Sequence, residues 1–145
     1  MRLSKIISII LLLTIPPMVH GQNITNYQWK NRLLFFVDKT IKKPTMCSQL
    51  KSFLKKADEL DDREILIFQL TPKEVILYNG ADCKLSPDAI YHHLSISKSF
   101  KGALLIGKDG GIKLKTTFEV QPEVIFSLID GMPMRKSEIK KTKGN

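Results

Sequence analysis

Two apolar runs separated by an amphipathic segment limit the folds available to this chain more than any other feature. Residues 33–37 and 65–70 contain few polar side chains, which is typical of strands buried on both faces of a sheet. Between them, over residues 45–60, apolar residues recur at helical spacing behind Thr45, the predicted N-cap. A strand, a helix and a strand in this order predict a parallel pair joined by a right-handed crossover.

The second half of the chain predicts a hairpin between two helices. The predicted elements are a helix over 86–94, strands over 103–106 and 112–118, and a helix over 122–131. Ser86 suits the cap of the first of these helices, and Asp-Gly-Gly at 109–111 is typical of a tight reversal that requires positive φ. A short apolar run at 74–78 is not assigned, although it could add a strand at an edge of the sheet.

The order of these elements, β-α-β-α-β-β-α, is that of the thioredoxin fold. We therefore expect an α/β protein with a central four-stranded mixed sheet flanked by helices on both faces. Lysines alternate with apolar residues in the last strand, which suits an exposed edge of this sheet.

The first 21 residues have the three parts of a secretory signal peptide. Basic residues precede an apolar run over 6–15, and Val19 and Gly21 form a small-residue cleavage site. The expected organisation is a signal peptide at 1–21, a single thioredoxin-like domain over 22–139 and a basic tail over 140–145. We expect the mature protein to be exported, periplasmic or extracellular, and bacterial. It should not span a membrane, because no later apolar run is long enough.

The chain is basic even when the leader is set aside. The leader holds two of the 23 basic residues and none of the 14 acidic ones, so residues 22–145 carry a net charge of +7. Basic clusters at 39–43 and 135–143 could meet a polyanion or an acidic surface, although a solvated face and a frayed tail are the simpler interpretation. Stacking aromatics do not alternate with the basic residues, which argues against a nucleic-acid partner. No residue spacing matches a metal site, and no cofactor is expected.

Several segments resemble a family of domains of unknown function. They are Trp29-Lys30-Asn31-Arg32, Asp62-Arg63, Phe100 with residues 104–114, and residues 128–135. The family that they resemble occurs in secreted bacterial proteins and at the C-terminus of sushi-repeat-containing extracellular proteins. The resemblance spans roughly residues 27–139. It implies a thioredoxin-like fold, in agreement with the order of elements, and it implies no known reaction or catalytic residue.

Cys47 and Cys83 are the only cysteines, an even number in a chain predicted to be exported. Cys47 falls in the first turn of the first helix, and Cys83 in the connection after the second strand. Because parallel strands place both connections at one edge of the sheet, a structural disulfide is the leading expectation. Two separately buried thiols are a second interpretation. A third is a reactive Cys47 thiolate, favoured by the helix N-terminus and by Lys42 or Lys43, with Cys83 as the resolving thiol.

The chain lacks the Cys-x-x-Cys pair that thioredoxin-like redox enzymes carry after the first strand. A non-enzymatic binding module is therefore the first functional hypothesis, with an unidentified protein or surface as its partner. A thiol-dependent redox protein or peroxidase that uses Cys47 is the alternative.

The hairpin turn is one candidate for a binding site. Lys108 and the backbone N–H groups around Asp109 could hold an anion. The turn joins two strands instead of opening a helix, however, so turn chemistry is the simpler explanation of this sequence.

The segment after the last helix is a second candidate. Met132 and Met134 flank a proline and are followed by Arg135. Both methionines could pack against the sheet, with Arg135 paired to Asp130 or to a strand end. Alternatively, they form a partner-binding corner, because methionine and arginine adapt well to interfaces.

Overall fold

A five-stranded mixed sheet forms the centre of the molecule. The structure, a computed structural model, describes residues 22–117 and 119–144, so the predicted signal peptide at 1–21 lies outside the described residues. The strands are β1 (Arg32–Val37), β2 (Ile65–Leu70), β3 (Val75–Leu77), β4 (Gly102–Ile106) and β5 (Ile112–Thr116). Their order across the sheet is β3-β2-β1-β4-β5.

The pairing of the strands follows the predicted topology. β1 and β2 are parallel, from Arg32 beside Ile65 to Val37 beside Leu70. β4 runs antiparallel to β1 and forms the predicted hairpin with β5. A parallel pair beside an antiparallel hairpin, with helices on both faces, is the predicted α/β arrangement, and the fold class is confirmed.

The sheet has one strand more than the four that the sequence predicts. β3 pairs antiparallel with β2, with Val75 opposite Leu70. Asn79 extends this pairing, since its side chain accepts from the Ile67 N–H and donates to the Ile65 carbonyl. β3 spans three half-buried residues, which are too few to show the alternation of a strand.

Within residues 22–117 and 119–144, five helices flank the sheet. They are α1 (Pro44–Leu54), α2 (Ala57–Asp62), α3 (Pro87–His93), α4 (Pro122–Asp130) and α5 (Pro133–Lys143), and a 3₁₀ turn at Ile24–Tyr27 precedes β1. The prediction of one helix over 45–60 is wrong, because the backbone at Lys56 leaves the helical region and separates α1 from α2. Thr45 is not the cap, since Pro44 already lies in the first turn and Lys43 precedes it. Within the described residues, no helix is long and apolar enough to cross a membrane.

The predicted starts of the later helices are confirmed. Ser86 caps α3 by accepting a hydrogen bond from the Ala89 N–H, and α4 begins at Pro122 and is followed by Gly131. α5 continues to Lys143, so helix extends into the stretch that the sequence predicts as a basic tail over 140–145.

The sheet separates two hydrophobic clusters. One face packs against α1, α2 and α4, where Phe36 meets Phe53 at 5.4 Å between ring centroids. The other face is covered by α3 and the 3₁₀ turn, and there Phe35 stacks on Phe68 at 4.8 Å. Burial on both faces explains why β1 and β2 are continuous apolar runs.

The directions of β1 and β2 define two ends of the sheet. We call the end at which β1 and β2 begin the amino rim, and the opposite end the carboxyl rim. Leu33 lies opposite Ile106, so β4 ends and the β4–β5 turn lies at the amino rim.

Candidate functional site

The segments that carry the family resemblance meet at the amino rim. The Trp29 N–H donates to the Lys108 carbonyl at 2.7 Å, which joins the entry of β1 to the β4–β5 turn. The Arg32 guanidinium donates to the Arg63 carbonyl at 2.9 Å, and the Arg63 side chain in turn binds Asp130 at 2.7 Å. Four stretches that are far apart in the sequence therefore form one surface.

A groove of about 460 Å³ opens on this surface, between the β4–β5 turn and the corner that joins α4 to α5. Lys108, Asp109, Met132 and Met134 all line it. The two segments that the sequence offers as separate candidates thus belong to one site, with one segment on each side of the groove.

The polar wall consists of Arg32, Lys108, Lys113 and Asp109. Arg32 is 1% exposed and Lys108 is 8% exposed, so both cations need partners that replace water. Glu138 of α5 accepts from the Arg32 guanidinium through both oxygens, each at 3.2 Å, and from Lys108 Nζ at 2.8 Å. Glu64 also binds Lys108. Burial raises the pKa of Glu138, but the hydrogen bonds from Lys108 and Arg32 outweigh it, so the pKa lies below its ordinary value.

Asp109 is held within the β4–β5 turn. Its carboxylate accepts from Lys113 Nζ at 2.6 Å and from the Gly111 N–H at 3.1 Å. The hydrogen bond from Lys113, followed by that from Gly111, lowers the pKa of Asp109. Turn chemistry therefore accounts for this carboxylate, while Lys113 presents a cation to the groove.

The apolar wall consists of Leu128, Met132, Pro133 and Met134. Met132 packs against the core beneath α4, whereas Leu128 and Met134 are 37% and 40% exposed. Trp29, at 64% exposed, lies beside the same turn. Leu128 and Met134 line the same groove, and exposed apolar side chains that lie together are typical of binding surfaces.

Arg135 is buried and does not line the groove. Its guanidinium donates to the Asp130 carboxylate at 3.3 Å and to the Asp62 carbonyl at 2.7 Å, and it also binds the Asp62 carboxylate. The pairing with Asp130 is the one that the sequence analysis expects. Burial raises the pKa of Asp130, but the hydrogen bonds from Arg63 and Arg135 have the larger effect, so the pKa lies below its ordinary value.

In the described part of the chain, no group of three or more His, Cys, Asp or Glu side chains could hold a metal ion.

The two cysteines lie apart, and both are free thiols. Before the chain reaches Cys83, β3 returns it to the amino rim, where Asn79 binds Ile65. Cys83 then packs against the cluster covered by α3, whereas Cys47 belongs to α1 on the other face. The expectation that both connections share one edge of the sheet is wrong, because it leaves out β3. The structure thus gives no support to the expected disulfide, or to Cys83 as a resolving thiol.

Cys47 lies at the carboxyl rim, in the first turn of α1. Its thiol donates to the Ile41 carbonyl at 3.5 Å, and this carbonyl also accepts from the Gln69 amide at 3.2 Å. The Tyr78 hydroxyl binds the oxygen of the same amide. Burial raises the pKa of Tyr78, and the neighbouring Cys47 and Glu74 raise it further. These hydrogen bonds hold the loop that follows β1 in place. The Cys47 thiol, which would have to attack a substrate in a redox reaction, donates one of them.

Arg32 and Glu138 belong to the site but are not among the residues predicted from the sequence. An arginine at the start of an otherwise apolar central strand was the available signal for Arg32, because a cation there requires a buried partner. Glu138 carries no local signal, since it lies 106 residues from Arg32 in the sequence.

The chain matches the family described as "Domain of unknown function (DUF4174)" over residues 23–138. No curated protein matches it in sequence. Among solved structures, the chain is similar to the reduced 2-Cys peroxiredoxin of Plasmodium vivax, with a TM-score of 0.52, 11% sequence identity, and coverage of 79% of this chain and 84% of that chain. At this identity the similarity concerns the fold alone, and it agrees with a thioredoxin-like arrangement.

Proposed function

The chain belongs to DUF4174, a family of unknown function, and we propose that it is an exported, non-enzymatic binding module whose amino-rim groove receives a segment of a protein partner. The observation that carries this proposal is the groove, which joins Lys108 and Asp109 to Met132 and Met134. Export is supported by the leader-like sequence of residues 1–21.

The two walls of the groove indicate what the partner segment contains. Three cations line one wall, and in the free protein they pair with Asp109, Glu138 and Glu64. The opposite wall is apolar, so the best-matched segment carries an apolar side chain next to an acidic one. The net charge of +7 on residues 22–145 would also attract an acidic partner and speed its association.

Peptide selection followed by substitution tests this proposal. We expect short peptides selected from a random library on the purified protein to be rich in paired acidic and apolar residues. Leu128→Asp should weaken the binding of such a peptide at least about tenfold, because it places a charge on the apolar wall. Fluorescence anisotropy with the labelled peptide measures the change.

Val124→Asp is the matched control. Val124 lies on the same helix, α4, and is 57% exposed, but it is not among the residues that line the groove. Its replacement should leave the affinity unchanged. Equal losses in the two variants, or no loss in Leu128→Asp, would show that the groove is not the binding site.

A thiol-dependent redox protein or peroxidase is the alternative function. Its support is the position of Cys47, half-buried in the first turn of the helix that follows the central strand. Two observations favour the binding module instead. Cys83 lies on the other face of the sheet from Cys47, and the Cys47 thiol donates a hydrogen bond to the Ile41 carbonyl.

A further inference from the structure

Two buried cations of the groove converge on one carboxylate. Arg32 opens the central strand β1, and Lys108 lies directly after β4 in the turn. Glu138 binds the two ends of the Arg32 guanidinium at 3.2 Å and Lys108 Nζ at 2.8 Å. This is the forked arrangement in which arginine recognises carboxylate and phosphate groups.

The Glu138 carboxylate belongs to α5, a helix held against the rest of the molecule mainly by ion pairs. Among the residues of α5, only Arg135 is buried, and its partners Asp62 and Asp130 are half-buried or exposed. Glu138 itself is 26% exposed. Because Glu138 keeps contact with water, its side chain can move into solvent while Pro133 and Met134 of the same helix stay at the groove.

We propose that Arg32 and Lys108 form a carboxylate-binding site that Glu138 occupies in the free protein, and that an acidic residue of the partner replaces Glu138 when the groove is filled. This inference rests on the proposed function and identifies the acidic residue as the anchor of the partner. It also makes the Glu138 side chain a displaceable internal ligand of the site.

The exchange leaves the charge of the site unchanged. One carboxylate leaves Arg32 and Lys108 for water and another enters, while Glu64 continues to bind Lys108. The cations are paired in both states, so the exchange avoids the large cost of an unpaired buried charge. Phosphate can also accept two parallel hydrogen bonds from an arginine, so it should enter the site when Glu138 cannot occupy it.

The first test uses Glu138→Gln and inorganic phosphate. Glutamine keeps the shape of the side chain but leaves Arg32 without a carboxylate, so phosphate should bind and raise the melting temperature by about 5 °C more than chloride at equal ionic strength. The wild type and Glu123→Gln, which removes an exposed carboxylate from α4, should show no such difference. If Glu138→Gln is unfolded at low salt, refolding by phosphate but not by chloride is the same result.

The second test measures the affinity of a selected acidic peptide. Glu138→Gln should bind it about tenfold more tightly than the wild type, because the internal competitor is gone. If Glu138 has only a structural role, Glu138→Gln should bind the peptide equally well or more weakly than the wild type. That outcome would overturn the proposed exchange of carboxylates. If phosphate does not raise the melting temperature of Glu138→Gln more than chloride does, Arg32 and Lys108 do not form an anion-binding site. A phosphate effect without peptide binding by any variant keeps the anion site but contradicts both the proposed function and the exchange.

Discussion

Replacing Gly102 by alanine is expected to lower the free energy of unfolding by about 4 kcal/mol, which is a large part of the stability of a small domain. Gly102 opens β4 with a φ of 154°. A methyl group there would overlap the Thr116 carbonyl oxygen and lie 2.9 Å from its carbonyl carbon. Both strands are fixed by backbone pairing, so neither can move away without loss of the β4–β5 ladder. Urea denaturation measures the change.

Gly131→Ala provides the control for this prediction. An added methyl group at Gly131 would come no closer than 3.4 Å to the Leu128 carbonyl, and the backbone there has an ordinary negative φ. We expect a change within about 0.5 kcal/mol. A similarly small change in Gly102→Ala would show that β4 has room for a side chain at this position.

Asp130→Asn should lower the free energy of unfolding by about 2 kcal/mol. The variant leaves Arg63 and Arg135 without the carboxylate that joins them. Loss of one partner from a fully buried pair costs roughly 3–5 kcal/mol, but Asp130 is partly exposed to water, which reduces the cost. Glu123→Gln removes an exposed carboxylate that pairs with Lys56, and it should cause no measurable change.

The same carboxylate makes stability depend on pH in the acid range. Hydrogen bonds from Arg63 and Arg135 hold the pKa of Asp130 below its ordinary value in the folded protein, despite the opposing effect of burial. Its contribution is therefore complete above the pKa of the unfolded chain, about 4, and is lost as the pH falls through the lower folded pKa. The midpoint of urea denaturation should fall less steeply below pH 4 in Asp130→Asn than in the wild type. Parallel curves would contradict this assignment.

The elements that the sequence predicts well are those with a strong local signal. The central strands are long apolar runs, the hairpin has Asp-Gly-Gly, and α3 has Ser86 at its cap. β3 is too short for periodicity to detect. Its omission also explains the error about Cys83, because that prediction assumed that the chain leaves β2 at the carboxyl rim and stays there.

The site is predictable only in part, because some of its residues have no distinctive local sequence. The turn at Lys108 and the pair Met132 and Met134 stand out because their local sequences are unusual. Glu138 and Arg32 depend on each other across 106 residues, and only the folded chain brings them together. α5 looks like a solvated tail from its composition, since ion pairs replace the apolar stripe that would identify a packed helix.

Mapping of amide chemical shifts by NMR, on addition of a selected acidic peptide, is the most direct test of the amino rim as the functional surface. We expect the largest shifts in the turn from Gly107 to Gly111 and at the corner between α4 and α5. The loop that follows β1 and leads to Cys47 should be unaffected. If the shifts concentrate around that loop and the amino rim is unchanged, the amino rim is not the functional surface. That result would favour a function that uses the Cys47 thiol.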